Sequence, residues 1–377
     1  MESDNPINCS PHPTALAFSR ALESHLASSS SNKTRTKLNT NNDTKKQTKK
    51  HSQIMQKSLL LGWRNRNSLS ASYPLTINIP IMSAKKFHTY NSVQEEENHK
   101  LVNKSDHDVF PSSSIAFSFT MAQVHDKVSQ QNNLDYGTGA FIWPASMVLL
   151  KFLEHQCLSY THDDDDDDNH NDKKVNFSLH KKSVLDLGSG TGITSVAAAL
   201  LGASMVICTD GSEPVVQLAK CNVERVEKEF DDFRKQSKRN QNIEDPFKRI
   251  HQSLHQMHVC EFWWGNQEHT HSIRQKFASN SSNKTSYPDI ILVSDCVLPK
   301  LYPIAPLVQA LKECMGPMTR AYLSYEYRFF EQYEAKDKFW ELAKDSNLEV
   351  KEIPREEQHE VYQAEDMEIW EVRVRHI

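Results

Sequence analysis

Apolar and polar positions divide this chain into two unequal parts. Up to about residue 108, Ser, Asn, Thr and Lys dominate with little hydrophobic periodicity, which predicts a disordered basic tail. From Phe110 onward apolar runs recur at strand and helix spacing, so a single folded domain is expected over 109–377. Residues 115–121 alternate and predict an edge strand, and Pro144 opens an apolar stretch that predicts a buried helix. A short apolar run at 183–187 is followed by glycines and then by a helical segment at 194–201. A second strand is expected at 203–209 and a helix at 213–229, then a charged, irregular insertion at 230–256. A third strand is expected at 257–265 and a polar loop at 279–286. The nearly all-apolar run 289–295 predicts a central parallel strand. A helix opening at Pro303 and Pro306, a strand at 321–326 and a helix at 337–343 complete the alternation. Residues 348–353 and 368–374 alternate like a closing antiparallel pair. The order predicts an α/β fold: a doubly wound, seven-stranded, Rossmann-like sheet with an antiparallel terminal strand.

Composition sharpens the division. Of 377 residues only 38% are hydrophobic, and mean hydropathy is −0.64, low for a chain packed throughout. Residues 1–108 carry 15 Lys+Arg against 9 Asp+Glu, a balance of +6, so a chain net of −5 leaves −11 on the remainder. An acidic body argues against a nucleic-acid substrate held through its phosphates. No apolar stretch approaches the roughly 20 residues that cross a bilayer, so no membrane partner is expected. The seven cysteines are scattered without a C-x-x-C pair and several fall in apolar runs, as reduced thiols of an intracellular protein do. The acidic start lacks a secretory signal. Residues 44–94 contain no acid, and the stretch from Met55 would resemble a mitochondrial presequence only if translation began there. Two Lys pairs at 45–50 form a weak nuclear signal, and a cytoplasmic location is expected. The Asp run 163–168 predicts a solvated surface loop. His251, His255 and His258 lack an acid at ligand spacing, and no metal is expected.

The chemistry centres on Asp186-Leu187-Gly188-Ser189-Gly190-Thr191-Gly192, a tight turn between a strand and a helix. The dinucleotide fingerprint G-x-G-x-x-G differs in its third glycine, and Asp186 would repel a pyrophosphate while suiting a ligand with an ammonium group. Asp210 follows Gly188 by 22 residues, near the offset of roughly 20 at which an acid holds ribose hydroxyls. Asp186, Asp210, Trp264 and Asp295 all fall at expected strand ends, where such sheets bind ligands. Three acids and an indole suit a cation bearing a ribose and an adenine.

The D-x-G-x-G-x-G loop resembles the signature of S-adenosylmethionine-dependent methyltransferases. The chain from about 114 to 375 further resembles the seven-strand protein-lysine methyltransferases that modify chaperones, elongation factors and AAA ATPases. The resemblance is carried by Gly139-x-x-x-Trp143-Pro144-Ala145, the glycine loop, Thr209-Asp210, Trp264-Gly265, Ser294-Asp295-Cys296-Val297 and Tyr325-Glu326-x-Arg328. The stretch His359 to Asp366 looks most like the members that methylate the valosin-containing AAA ATPase. It implies that Trp143, Gly188, Ser189, Gly190, Asp210, Trp264 and Ser294 contact S-adenosyl-L-methionine, with Asp186 near the methionine end. It implies a protein substrate whose lysine amine is oriented beside the methyl group by the carboxylate of Asp295, the catalytic residue. The family usually reads Asp-x-x-Tyr after this strand; here Leu298 replaces the Tyr, and Tyr302 is the nearest substitute. Two other readings stand beside this one: a class I methyltransferase acting on a small molecule or another side chain, and a non-catalytic binding module on the same fold. The sequence leaves the oligomeric state open.

Overall fold

The computed structural model describes residues 70–80, 114–124, 136–159, 177–237, 247–280, 286–298, 303–328 and 334–375. The basic Lys pairs, the stretch from Met55 to about residue 68, the Asp run 163–168, Cys9 and Tyr302 lie outside the described residues.

Seven strands form the main sheet: β3 (Ser183–Leu187), β4 (Met205–Asp210), β5 (His258–Glu261), β6 (Ile290–Ser294), β7 (Arg320–Glu326), β8 (Leu348–Glu352) and β9 (Met367–Val374). Their order is β5-β4-β3-β6-β7-β9-β8, and β9 runs antiparallel to both neighbours. The chain leaves β3 toward β4 and β5, then returns to its other side with β6. That reversal opens a crevice at the carboxyl ends of β3 and β6, where such sheets bind ligands.

Alternate strand residues feed two layers, as the period of two dictates. Val184, Val206, Leu292 and Tyr322 face helices α1 (Pro144–Ser159) and α2 (Ile193–Leu200). Leu185, Leu187, Ile207, Ile291 and Val293 face α5 (Gln267–Asn280), α6 (Ile304–Cys314) and α7 (Ala335–Asp345). Helices α3 (Glu213–Ser237) and α4 (Lys248–His255) complete the first layer.

A second, two-stranded sheet pairs β1 (Ser72–Pro80) with β2 (Ser114–Ala122) antiparallel over their whole length. The expectation of a tail through residue 108 therefore fails for 72–80. Tyr73, Leu75, Ile77 and Ile79 alternate inward and are all buried. Phe117 of β2 meets Phe230 of α3 edge-to-face at 5.2 Å. The underside of β1 is clipped to α1 by a buried ion pair. Glu154 accepts from the Asn78 backbone N–H and amide, both at 2.7 Å, and from Lys151, whose Nζ also donates to the Thr76 carbonyl at 2.8 Å.

Two further segments depart from expectation. The charged region 230–256 is largely helical among the described residues, because Phe230, Phe233 and Phe247 cluster inward while the charges face out. The third strand is only four residues long, so Trp264 sits in the turn after β5 rather than at its end.

Candidate functional site

Where β3 gives way to α2, the chain makes turns that glycine alone accommodates. Gly188 has φ 66°, and a Cβ there would lie 2.7 Å from Cys296 Sγ. Gly190 has φ 56°, and its Cβ would lie 2.9 Å from the Gly139 carbonyl oxygen. The left-handed region and these close approaches exclude a side chain at both positions. The loop is also tied down from outside. Ser189 N–H donates to the Thr209 carbonyl at 2.8 Å, Gly190 N–H donates to Asp210 Oδ2 at 3.0 Å, and the Asn222 amide donates to the Thr191 carbonyl at 2.9 Å.

Over this loop lies a cavity of about 570 Å³. Its floor is Gly188, Ser189, Gly190, Asp210 and Ser294, and its walls include Trp143, Phe141, Trp263, Trp264 and Leu298. Asp295 lines it as well, so eight of the nine residues singled out in the sequence converge on one space. The ninth, Asp186, does not line the cavity. It is fully buried beneath the loop, where its Oδ2 accepts from Thr194 and Ser195 hydroxyls at 2.6 Å each. The reason is local: the first turn of α2 brings those hydroxyls under the strand end, where Oδ2 accepts from both. Its Oδ1 has no hydrogen-bond partner among the described residues. Burial, partly offset by the two hydroxyls, pushes its pKa up to about 6.

Asp210 faces the cavity but is held by backbone donors, Gly190 N–H to one oxygen and Ser212 N–H to the other. Burial raises its pKa against those donors, which favour the ionised form. Trp143 is pinned through its indole N–H to the Thr138 carbonyl at 2.8 Å. Ser294 Oγ accepts from Ser146 Oγ at 3.1 Å, which joins the end of β6 to the start of α1.

Asp295 is the most constrained group of the site. Its φ is 57°, a left-handed value uncommon outside glycine, and strain of this kind persists where the surroundings impose it. Both its oxygens accept from Arg328, at 2.8 and 2.6 Å. Burial raises its pKa and the Arg328 guanidinium opposes that rise. Beside it, burial pushes the Cys296 thiol well up, so this sulfur is a neutral packing group against the loop.

Other lining residues had weaker signals. Glu213 opens the helix after β4, and Glu261 and Trp263 surround the end of β5; their only marks in the sequence are adjacency to an expected strand end and the Trp263-Trp264 doublet. Tyr136, Thr138 and Phe141 precede the Trp143 helix and gave no signal beyond that proximity. Asn222 had none, because a buried Asn within an amphipathic helix reads like any polar position. Among the described lining residues there are four carboxylates, Asp210, Glu213, Glu261 and Asp295, and no Lys, Arg or His. Among the described residues no cluster of His, Cys, Asp and Glu suits a metal ion.

The glycine cradle, the acid at the end of β4 and the aromatic side chains suit S-adenosylmethionine: the glycines leave room for a ligand against the loop, and Asp210 lines the same cavity. Strand order, the antiparallel β9 and the cavity at the β3/β6 reversal define a class I methyltransferase fold. Residues 123–249 match the family model described as lysine methyltransferase. The chain is 39% identical over 72 residues to protein-lysine methyltransferase METTL21E of Mus musculus, covering 19% of this chain and 22% of that protein. It is 35% identical over 105 residues to protein N-lysine methyltransferase METTL21A of Danio rerio, covering 28% of this chain and 38% of that one. These matches thus span well under half the length of the curated relatives. Among solved structures, the glycopeptide N-methyltransferase MtfA aligns with TM-score 0.34 at 12% identity, over 52% of this chain and 84% of that one. The ribosomal protein L11 methylase of Lactobacillus delbrueckii aligns with TM-score 0.30 at 14% identity, over 52% and 70%.

Proposed function

We propose that this chain is an S-adenosylmethionine-dependent protein-lysine N-methyltransferase, with its acceptor among chaperones, elongation factors or AAA ATPases. The observation that carries the reading is the charge of the cavity. Four carboxylates, of which Asp295 is already paired with Arg328, line a space walled in part by aromatic rings with no described basic residue on its lining, which suits a sulfonium and a lysine amine side by side.

Bound there, the sulfonium would supply an electrophilic methyl group. Gly188, Ser189 and Gly190 would form the bed for the donor, Asp210 would accept from its ribose hydroxyls, and Trp143, Trp264 and Ser294 would close around it. A free lysine has a pKa of about 10.4, so presenting it as the neutral amine at pH 7 costs about 4.6 kcal/mol. The positive sulfonium beside the amine and the aromatic side chains lower that cost, against the lining carboxylates, which favour the ammonium form. Asp295 holds the amine in line with the methyl group; its contribution is proximity and orientation more than proton removal. The nitrogen lone pair would form the N–C bond as the S–C bond of the donor breaks, leaving neutral S-adenosylhomocysteine and a methylated ammonium that then gives up its extra proton to solvent. Leu298 lines the cavity where the related pattern has a Tyr, so the amine meets an apolar wall on that side and Asp295 is its polar anchor.

The test is labelling of a host lysate with the purified protein and radiolabelled S-adenosylmethionine, followed by mapping of the modified residue. Label on a protein lysine is expected. Label on lipid or a metabolite refutes lysine transfer, and donor binding with no labelled product assigns a binding module instead.

A further inference from the structure

Arg328 lies just past the end of β7, outside the cavity lining, and donates four hydrogen bonds there. Its guanidinium grips Asp295 with both terminal nitrogens and donates to Glu326 Oε2 at 2.8 Å and to the Glu326 carbonyl at 3.3 Å. It also lies 5.4 Å from the centre of the Trp143 ring, near enough for a cation–π contact. One planar group thus ties together the acid after β6, the end of β7 and the aromatic wall at the start of α1. A fork of this kind fixes the plane of a carboxylate as well as its charge, which a lysine ammonium does not.

We propose that Arg328 is a positioning residue for methyl transfer: it holds the Asp295 carboxylate ionised and oriented toward the cavity, and the acceptor amine uses the lone pairs the fork leaves over. The proposal rests on the methyltransferase reading of the site. Without Arg328, Asp295 would keep its strained backbone and its burial and would have Glu326, a second carboxylate, as its charged neighbour, with the neutral Cys296 thiol alongside. Burial and like charge both favour protonation, and a protonated Asp295 has no charge with which to hold an amine. A guanidinium that instead blocked the acid would be released by its removal, with the opposite sign of effect on the rate.

Arg328→Ala and Arg328→Lys are compared with the wild type by three measurements. Calorimetry with S-adenosylhomocysteine reads the donor site. The rate of lysine labelling in lysate with radiolabelled S-adenosylmethionine reads transfer. Carboxyl 13C NMR of Asp-labelled protein, with Asp295→Asn identifying the resonance, reads the titration of Asp295. Donor affinity is expected to stay within about threefold, while transfer falls on the order of 100-fold in Arg328→Ala. The Asp295 resonance titrates at higher pH in Arg328→Ala. In Arg328→Lys it titrates as in the wild type while the rate stays low, because charge returns without the fork. A rate in Arg328→Ala equal to or above wild type overturns the proposal, as does an unmoved Asp295 titration. Failure of the wild type to bind S-adenosylhomocysteine would overturn the methyltransferase reading itself, and is seen separately from the effect of Arg328.

Discussion

Replacing Glu154 by Ala tests whether the N-terminal strand belongs to the folded body. Glu154 is 2% exposed and accepts three hydrogen bonds, two from Asn78 of β1 and one from Lys151. Its removal leaves Lys151, itself 7% exposed, with the Thr76 carbonyl and the face of Tyr362 as its described contacts, and strands the Asn78 N–H. Breaking a buried pair from one side costs about 3–5 kcal/mol, since a desolvated charge remains. For a domain of this size that corresponds to a fall of roughly 6–20 °C in the unfolding temperature. Differential scanning calorimetry at pH 7 measures it directly. The double variant Lys151→Met/Glu154→Leu removes the stranded charge and should recover part of the loss, though not the bonds to Asn78. An unfolding temperature for Glu154→Ala within about 1 °C of wild type would refute the clip and, with it, the docking of β1 on α1.

Deleting residues 1–69 should leave thermal unfolding unchanged, whereas deleting 1–108 removes Tyr73, Leu75, Ile77 and Ile79 from the core and should lower the unfolding temperature or the soluble yield. Gly190→Ala combines a left-handed backbone with a contact of 2.9 Å to the Gly139 carbonyl, and calorimetry should show S-adenosylhomocysteine binding weakened on the order of tenfold or more. Asp295→Asn keeps a side chain that tolerates positive φ; transfer should fall below about 1% while donor affinity holds, and an equal loss of both would mean that Asp295 belongs to the donor site. Asp186 binds its proton more tightly folded, near pH 6, than at the ordinary 3.8, so its contribution is lost as pH rises through that window, by about 3 kcal/mol in all. Asp186→Asn has no such titration, and urea unfolding should show the variant gaining on wild type between pH 4 and pH 7; a constant difference would refute the assignment.

Much of the main sheet was legible because its strands are short apolar runs punctuated by glycine and acid, and parallel strands buried on both faces have no other pattern. Asp186 shows the limit of that reading. Its position before the first glycine was plain, but its burial beneath the loop against the hydroxyls of Thr194 and Ser195 depends on how α2 is set against β3. The alternation of Tyr73, Leu75, Ile77 and Ile79 was present in the sequence too. It was masked by polar flanks on both sides and by a partner strand that begins only at Ser114, too distant for a hairpin signal. Trp264 reached the cavity from a turn instead of a strand end, which changes its mounting and not its destination. Arg328 was visible as part of a motif, yet its partner lies 33 residues earlier, and only the adjacency of β6 and β7 brings them together.

The small sheet has a consequence for ligand retention. Beyond β2 the chain passes through Gln123 and Val124, whose contacts at 2.9 Å with the Ile142 N–H and at 3.1 Å with the Ala140 carbonyl secure the rim before Trp143. Asn222 reaches from Ala122 to the glycine loop on the other side. The two-stranded sheet, through the end of β2, and the glycine loop proposed above as the donor's bed therefore share supports, so loosening of the one should be felt at the other. On the proposed reading, proteolytic trimming of β1 should weaken S-adenosylhomocysteine binding, and saturating S-adenosylhomocysteine should slow the trimming.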